Sequence, residues 1–461
     1  MYLYELEELE DQIDILIFED EPSIVTEKYA LEIMETAFQL MDEFMNQNPS
    51  IITEEDFEEI LFDEITNLFY IQFEEDIKLN DIIEDDINEI LEEAFYMYIT
   101  LFYPERSIKN DENIEIEKKT EDEYKIISDK INYLRTIPQP TQRTDEWYQF
   151  RHNLITASNA YKAFESQSMM NQLIYEKCQP LKIFDLDEKP KMVNTNTTLH
   201  WGQKYEPLSV MLYENMYQTK VEDFGCIPHS MYKFLGASPD GINIDTSSER
   251  YGRMLEIKNI VNREITGIPK KEYWIQMQLQ MEVCDLDECD FLETKFTEYP
   301  DEGSFYNDID IDTDNNTNID KKDVVKGTIM YFNTNESKPF YLYKPLHITD
   351  YDNINKWEEE MIELYQEEKK MVWIKNIYWK LEKLSCVLVL RNKEWFKNNV
   401  EQIEKIWKII EEERITGYEH RAPNRKIKIE QPKPFISDID TPCCLLSSTF
   451  FNEVKEKVEP N

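Results

Sequence analysis

Apolar residues in the first hundred positions recur at helical spacing. Tyr29, Ile33, Ala37, Leu40, Met41 and Phe44 form one stripe, and Phe57, Ile60, Leu61, Ile65 and Phe69 form another. A capping signal, Thr53-Glu54-Glu55-Asp56, precedes the second stripe. The pattern predicts four or five helices over residues 1–103. The period changes near residue 126. GCIPHS, YKFLGAS, RMLEIKNIV, CDFLETKFTEY and VVKGTIMYF alternate or run apolar as strands do, while KYEPLSVMLYENMY and YWIQMQLQMEVC keep helical spacing. Strands interleaved with helices over 126–345 predict an α/β domain. Beyond 346 the stripes are helical and aromatic again. NINKWEEEMIELYQEEKKMVWIKN reads as a helix, CVLVLRN as a short apolar run, and Phe396, Val400, Ile403 and Trp407 share one helical face. A mainly helical region over 346–420 is expected, followed by an irregular tail over 421–461. Two stretches lack large apolar residues. Residues 104–125 read as a charged linker, and the acidic stretch between Pro300 and Lys322 reads as a loop insertion.

Charge changes the picture most. The chain carries a formal net charge of −45 in 461 residues. Residues 1–100 hold 31 acidic side chains against Lys28 and Lys78 alone. This argues against a sequence-independent basic coat for DNA. It leaves room for an enzyme whose positive groups are local. The acidic helices read first as a solvated bundle, with a partner-docking surface or a DNA mimic as the other readings. Seven Cys without a C-x-x-C pair and five His make a zinc site or a disulfide framework unexpected, and predict a reducing, intracellular compartment. No run is apolar enough to span a membrane, and the acidic start lacks the basic n-region of a signal peptide.

The candidate chemistry centres on FLGASPDGI (234–242) and MLEIKN (254–259). Alone, Ser-Pro-Asp-Gly reads as a turn, with Pro239 presetting φ and Gly241 accepting positive φ. Beside a strand bearing Glu-x-Lys it suggests more. Residues two apart on a strand share a face, so Glu256 and Lys258 project together, and Asp240 joins them if the two strands pair. Hydrolysis of a phosphodiester needs hard oxygen ligands for Mg²⁺ and a cation near the phosphate. Asp240, Glu256 and the Ile257 carbonyl supply the first, and Lys258 the second. Three other stretches add candidates. After Gly202, a helix is expected to turn Glu206 inward with Leu208, Leu212 and Tyr213, where a metal would be a partner. The competing reading is an exposed Glu in the first helical turn. In TDEWYQFRHNLITASN, Arg151 and Ser158 offer donors for a terminal phosphate, with Ser158-Asn159 capping a helix over 160–164. Trp147 packs under Arg151, stacks on a base, or lies in the core. In YWIQMQLQ, Gln276 and Gln280 share a helical face and Gln278 lies opposite.

The order E-W-x-x-x-R-x-x-x-I-T-A-S, G-x-x-x-E, G-A-S-P-D-G, L-E-I-K, Y-x-x-Q-x-Q resembles the YqaJ-type viral recombinases, relatives of phage lambda exonuclease within the PD-(D/E)xK nuclease superfamily. The resemblance covers about residues 143–300. It implies a restriction-endonuclease-like core, a central mixed sheet flanked by helices. It implies Mg²⁺ or Mn²⁺, two ions, held by Glu206, Asp240, Glu256 and the Ile257 carbonyl, with Lys258 activating water and Gln276 assisting. It implies a pocket for a 5′-terminal phosphate formed by Arg151, Ser158 and Ser238, and hence 5′→3′ exonuclease action on duplex DNA ends. It further implies a single-strand annealing protein as partner, a homo-oligomer, and work in recombination, repair or replication of a large DNA virus, in the host cytoplasm or virus factory. Two alternatives stand beside it: a structure-specific endonuclease on the same core, and a catalytically idle interaction protein.

Overall fold

The computed structural model describes residues 26–79, 84–102, 105–109, 119–140, 144–181, 194–195, 197–308, 325–334 and 338–422. They all fall in one unit, Met1–Ala422; a second unit, Pro423–Asn461, lies outside the described residues with the expected tail. Three long helices open the described chain: α1 (Glu27–Gln47), α2 (Phe57–Leu79) and α3 (Glu84–Phe102). The further one or two expected helices would fall in residues 1–25, outside the described part. Thr26 caps α1 by accepting from Tyr29 N–H. Thr53 does not cap α2. Its hydroxyl donates to the Ser50 carbonyl at 2.7 Å, because Ile51–Thr53 form a 3₁₀ turn ahead of the helix.

Two parts of the expected layout change. The charged linker of 104–125 contains structure. Ile108–Lys109 is a short strand (β1), and α4 (Glu121–Thr136) begins inside the linker with a Thr120–Glu123 capping box. The signal was present as Thr-x-x-Glu but lay hidden in a run of charge. In the region 346–420 the helices are Tyr351–Glu367 and Lys393–Thr416, and a long strand lies between them where the sequence predicts only a short apolar run. The helix over 351–367 stops where Lys370 adopts φ 56°, and Val372–Leu390 then forms a 19-residue strand. Burial of Ile377, Trp379, Val387 and Val389 follows the two-residue period of a strand. The intervening Lys and Glu residues hid that period.

The remaining elements in chain order are α5 (Asp145–His152), β2 (Ile155–Thr156), α6 (Ala157–Ala160), α7 (Gln167–Cys178), α8 (Thr198–Tyr217), β3 (Val221–Glu222), β4 (Ile227–Pro228), β5 (Leu235–Ala237), β6 (Gly241–Asn243), β7 (Met254–Asn259), α9 (Lys271–Cys284), β8 (Glu288–Glu298), α10 (Glu302–Asn307), β9 (Lys326–Asn333), β10 (Pro339–Tyr343), α11 (Tyr351–Glu367), β11 (Val372–Leu390) and α12 (Lys393–Thr416). The main sheet is mixed, in the order β10-β9-β11-β8-β7-β6-β3, with β1 also on β11. Its parallel pair is β7–β8, joined by the crossover helix α9. A second sheet has the order β2-β5-β4. This is the α/β architecture expected of 126–345, extended by β11.

The helical region of 27–102 is not a separate bundle on a string. Its buried residues, those of α9 and those of α12 belong to one apolar cluster. Buried Arg106 donates to the Ile52 and Thr53 carbonyls at 3.0 and 2.9 Å and lies 5.9 Å from the Trp274 ring of α9. Lys271, at the start of α9, pairs with Glu54 at 2.6 Å. The acidic helices therefore brace the helix that carries the candidate glutamines.

Candidate active site

The Ser-Pro-Asp bend is where the chain leaves one sheet for the other. β5 belongs to the small sheet and β6 to the main one, so Ser238-Pro239-Asp240 forms the crossing. Asp240 thus precedes β6 rather than closing β5. Gly241 is required by space and not by φ. Its φ is not positive, yet a Cβ there would stand 2.1 Å from Val221 Cγ1 on neighbouring β3. β6 and β7 pair antiparallel, Gly241 opposite Leu255, which sets Asp240 beside the Glu-x-Lys strand as expected.

The acids and their partners then interlock. Ile257 N–H donates to Asp240 Oδ2 at 2.7 Å. In an extended strand the N–H and C=O of one residue leave on the same edge, so the Ile257 carbonyl opens on the Asp240 side. Glu256 is 1% exposed. Its Oε1 accepts from Lys258 Nζ and from Gln276 Nε2 at 2.6 Å, and its Oε2 accepts from Gln280 Nε2 at 2.7 Å. Gln280 also reaches the Ser238 carbonyl at 3.3 Å, tying α9 to the bend. Gln278, on the opposite face, instead bonds the Leu390 carbonyl and the Asn392 N–H. Burial and then the Glu256 carboxylate, with Glu206 adding to it, hold the Asp240 pKa well above the usual carboxylate range. Burial alone would lower the Lys258 pKa. The Glu256 and Asp240 carboxylates outweigh it and leave the lysine above its ordinary value.

A cleft of about 190 Å³ opens on this cluster. Asp240, Gln276, Gln280, Glu206 and Asp223 line it. Arg151, Trp147, Thr156, Ser158 and Ser238 line the same cleft. Arg151 lies 4.6 Å from the Trp147 ring centre, so Trp147 packs under the guanidinium. Thr156 and Ser158 share a hydroxyl hydrogen bond at 3.2 Å.

Three expectations are corrected here. Glu206 does not face inward; it is exposed, although it reaches the same cleft. Nor does Gly202 precede its helix. α8 starts at Thr198 under a Thr197 cap, which places Gly202 inside the helix and Glu206 beyond its first turn. Ser158 does not cap a helix over 160–164. It lies within α6, whose cap position is Thr156, and residues 161–164 form a 3₁₀ turn. Two cleft residues escaped the sequence reading. Asp223, its pKa raised by burial, carries no motif. Gln280 had a signal, the i, i+4 spacing to Gln276, but its hold on Glu256 is visible only in three dimensions.

The donor set suits a hard divalent cation. Its acids are oxygen ligands, and the crowding of Asp240 by Glu256 and Glu206 favours a positive charge among them. Among the described residues, however, no three Asp, Glu, His or Cys side chains stand together as a metal cage. Glu256 has both oxygens engaged by Lys258 and the two glutamines.

Residues 146–287 match the profile of the YqaJ-like viral recombinase domain, which agrees with the resemblance drawn from the motifs. An uncharacterized protein of Acanthamoeba polyphaga mimivirus is 29% identical over 304 residues, which are 60% of this chain and 54% of that protein. The chain thus spans about half the length of that curated relative. Among solved structures, the alkaline exonuclease LHK-Exo from Laribacter hongkongensis is 17% identical and aligns over 59% of this chain and 94% of that one, with a TM-score of 0.32. LHK-Exo in complex with dAMP aligns over the same shares at 18% identity and the same TM-score.

Proposed function

We propose that this chain is a metal-dependent deoxyribonuclease that digests duplex DNA from a 5′-phosphorylated end, in recombination, repair or replication of viral DNA. One observation carries the reading. A single cleft is lined both by Asp240 and the glutamines that hold Glu256 beside Lys258, and by a tryptophan-backed arginine with two serines. The first is chemistry for a phosphodiester, the second for a terminal phosphate. The matched YqaJ-like domain spans nearly all of these residues.

Each residue has a role in this reading. Arg151 binds the terminal phosphate through its fork of donors, and Trp147 fixes the plane of that fork. The Ser158 and Ser238 hydroxyls donate to the remaining phosphate oxygens. That contact stops the duplex end and places the first phosphodiester near Asp240. Lys258 lies beside Gln276 Oε1 at 3.5 Å and stabilises negative charge on the attacked phosphate. Gln276 and Gln280 fix the Glu256 carboxylate. Asp240, Glu256, Glu206 and the Ile257 carbonyl would hold Mg²⁺ or Mn²⁺, which supplies a lowered water pKa and charge neutralisation when bound.

The test is digestion of end-labelled linear duplex, with and without a 5′ phosphate, alongside a closed circle. A preference for the phosphorylated end, no cutting of circles, and loss of digestion in Asp240→Ala are expected. Cutting of circles would replace this reading with an endonuclease. Undiminished digestion by Asp240→Ala would remove the site assignment.

A further inference from the structure

Three cations stand together at the cleft, one lining it and two behind that one. They are Arg151 on α5, Lys177 at the end of α7, and Arg414 on α12. Lys177 is 8% exposed, and its ammonium donates to the Arg151 carbonyl at 2.7 Å. Arg414 donates to the Lys177 carbonyl from Nε at 3.0 Å and from Nη2 at 2.8 Å, and to the His152 carbonyl at 2.7 Å. It thereby satisfies the open carbonyl ends of two helices at once. Among the described residues none of the three cations pairs with a carboxylate, in a chain with 95 acidic residues against 50 Lys and Arg. Burial, with Arg151 and Arg414 adding to it, pulls the Lys177 pKa down to about 8. Like charges crowded without a counter-ion cost stability and persist where an anion is to be bound.

The same helix holds the serine side of the pocket. Gln402, three turns before Arg414 on α12, donates to the Ala163 carbonyl at 2.6 Å. Ala163 lies in the 3₁₀ turn that follows the short helix bearing Ser158, and the neighbouring Phe164 ring packs 5.7 Å from Trp395 at the start of α12. One helix therefore holds the backbone next to Arg151 and the turn that follows Ser158. It lies beyond the matched stretch of 146–287.

We infer that α12 is the positioning element of the anion pocket, with Arg414 and Lys177 setting the backbone and adding the positive field that let Arg151 take a terminal phosphate. The inference rests on the proposed nuclease reading. It goes further in assigning end discrimination to residues that do not contact the DNA and to a helix outside the nuclease motifs.

The experiment compares initial rates on 5′-phosphorylated and 5′-hydroxyl blunt duplexes for wild type, Arg151→Ala, Arg414→Met, Arg414→Lys and Lys177→Met, all as the full chain. Arg414→Met and Lys177→Met are expected to lower the phosphate preference about tenfold, through a higher KM on the phosphorylated end, with the 5′-hydroxyl rate unchanged. Arg414→Lys is expected to fall between, because a lysine has no fork to bridge two carbonyls. If Arg151→Ala loses the preference while Arg414→Met and Lys177→Met keep it, the positioning role is wrong and the nuclease reading stands. If Arg151→Ala itself keeps the preference, the pocket assignment fails first. A uniform loss on both ends with an earlier melt in Arg414→Met makes Arg414 merely structural. Lys177→Met, which removes one bond and one charge, then decides: a kept preference overturns the inference and a lost one sustains it.

Discussion

Two groups of buried and half-buried cations in this protein are built on opposite plans. Around Asp290, every cation has an acid. Arg250 and Arg253 converge on the fully buried Asp290, and Arg253 and Lys119 share Glu288 at 2.8 and 3.0 Å. Tyr213, itself bonded by Asn243 at 2.9 Å, donates to the same aspartate. That network joins β6, β8 and α8, and none of its residues lines the cleft. Around Lys177, by contrast, three cations are held by backbone carbonyls, the His152 ring and the faces of Trp147 and Trp407, with no carboxylate ion-paired to them among the described residues, and Arg151 lines the cleft. A compensated cluster is what folding tolerates. An uncompensated one places the missing charge outside the chain, in a ligand. The cluster at Asp240 falls between, with one lysine facing two carboxylates and a demand for positive charge left over.

The contrast can be broken by substitution. The largest effect on activity is expected at the middle cluster. Asp240→Ala and Lys258→Ala should each reduce Mg²⁺-dependent digestion by about a thousandfold or more; the melting temperature should hold or rise in Asp240→Ala, which relieves crowded negative charge, and fall in Lys258→Ala, which leaves the buried Glu256 carboxylate without its cation. Parallel digestion assays and thermal melts check both halves. The largest effect on stability is expected at the compensated cluster. Asp290→Ala strands two buried guanidinium groups and should cost about 3–5 kcal/mol, read from the shift in a urea midpoint. An equal cost for Lys177→Met would erase the distinction between the clusters.

The third prediction uses pH. The Lys177 pKa in the folded chain is about 8, below its ordinary value of 10.5. Between those values the folded chain binds fewer protons than the unfolded one, so the contribution of Lys177 to stability rises as pH increases. Its penalty is full below pH 8 and fades by about pH 10.5. Wild type should therefore gain about 3 kcal/mol relative to Lys177→Met on going from pH 7 to pH 10.5. Paired denaturation curves at the two values check this, and a flat difference would show that the ammonium is not held at a disadvantage. The smallest effect is steric. Gly241→Ala should cost about 1–3 kcal/mol by pushing a methyl group into Val221. It should also lower activity by moving the bend that carries Asp240.

Much of the site was legible because each motif is local. PD, Glu-x-Lys and the i, i+4 glutamines need only strand or helix periodicity to share a face, and the pairing of β6 with β7 completed that geometry. What stayed illegible depends on packing between distant elements. The outward pose of Glu206 follows from where α8 starts, which a helix cap at Thr197 decides and an internal Gly202 obscures. Strand β11 was missed because its charged residues interrupt the alternation that burial at Ile377, Trp379, Val387 and Val389 makes plain.

The sequence by itself determined which groups are candidates for the chemistry: Asp240, Glu256, Lys258 and Gln276 as one set, Trp147, Arg151, Ser158 and Ser238 as the other. Side-chain type and short spacing are local properties, and they survive without knowledge of the fold. Only the tertiary structure decided that these two sets meet at one cleft. It alone closed Gln280 over Glu256, and it brought Arg414, more than 260 residues after Arg151, to the backbone beside Arg151. Those are long-range contacts, set by burial and backbone hydrogen bonding, and periodicity along a chain carries no record of them.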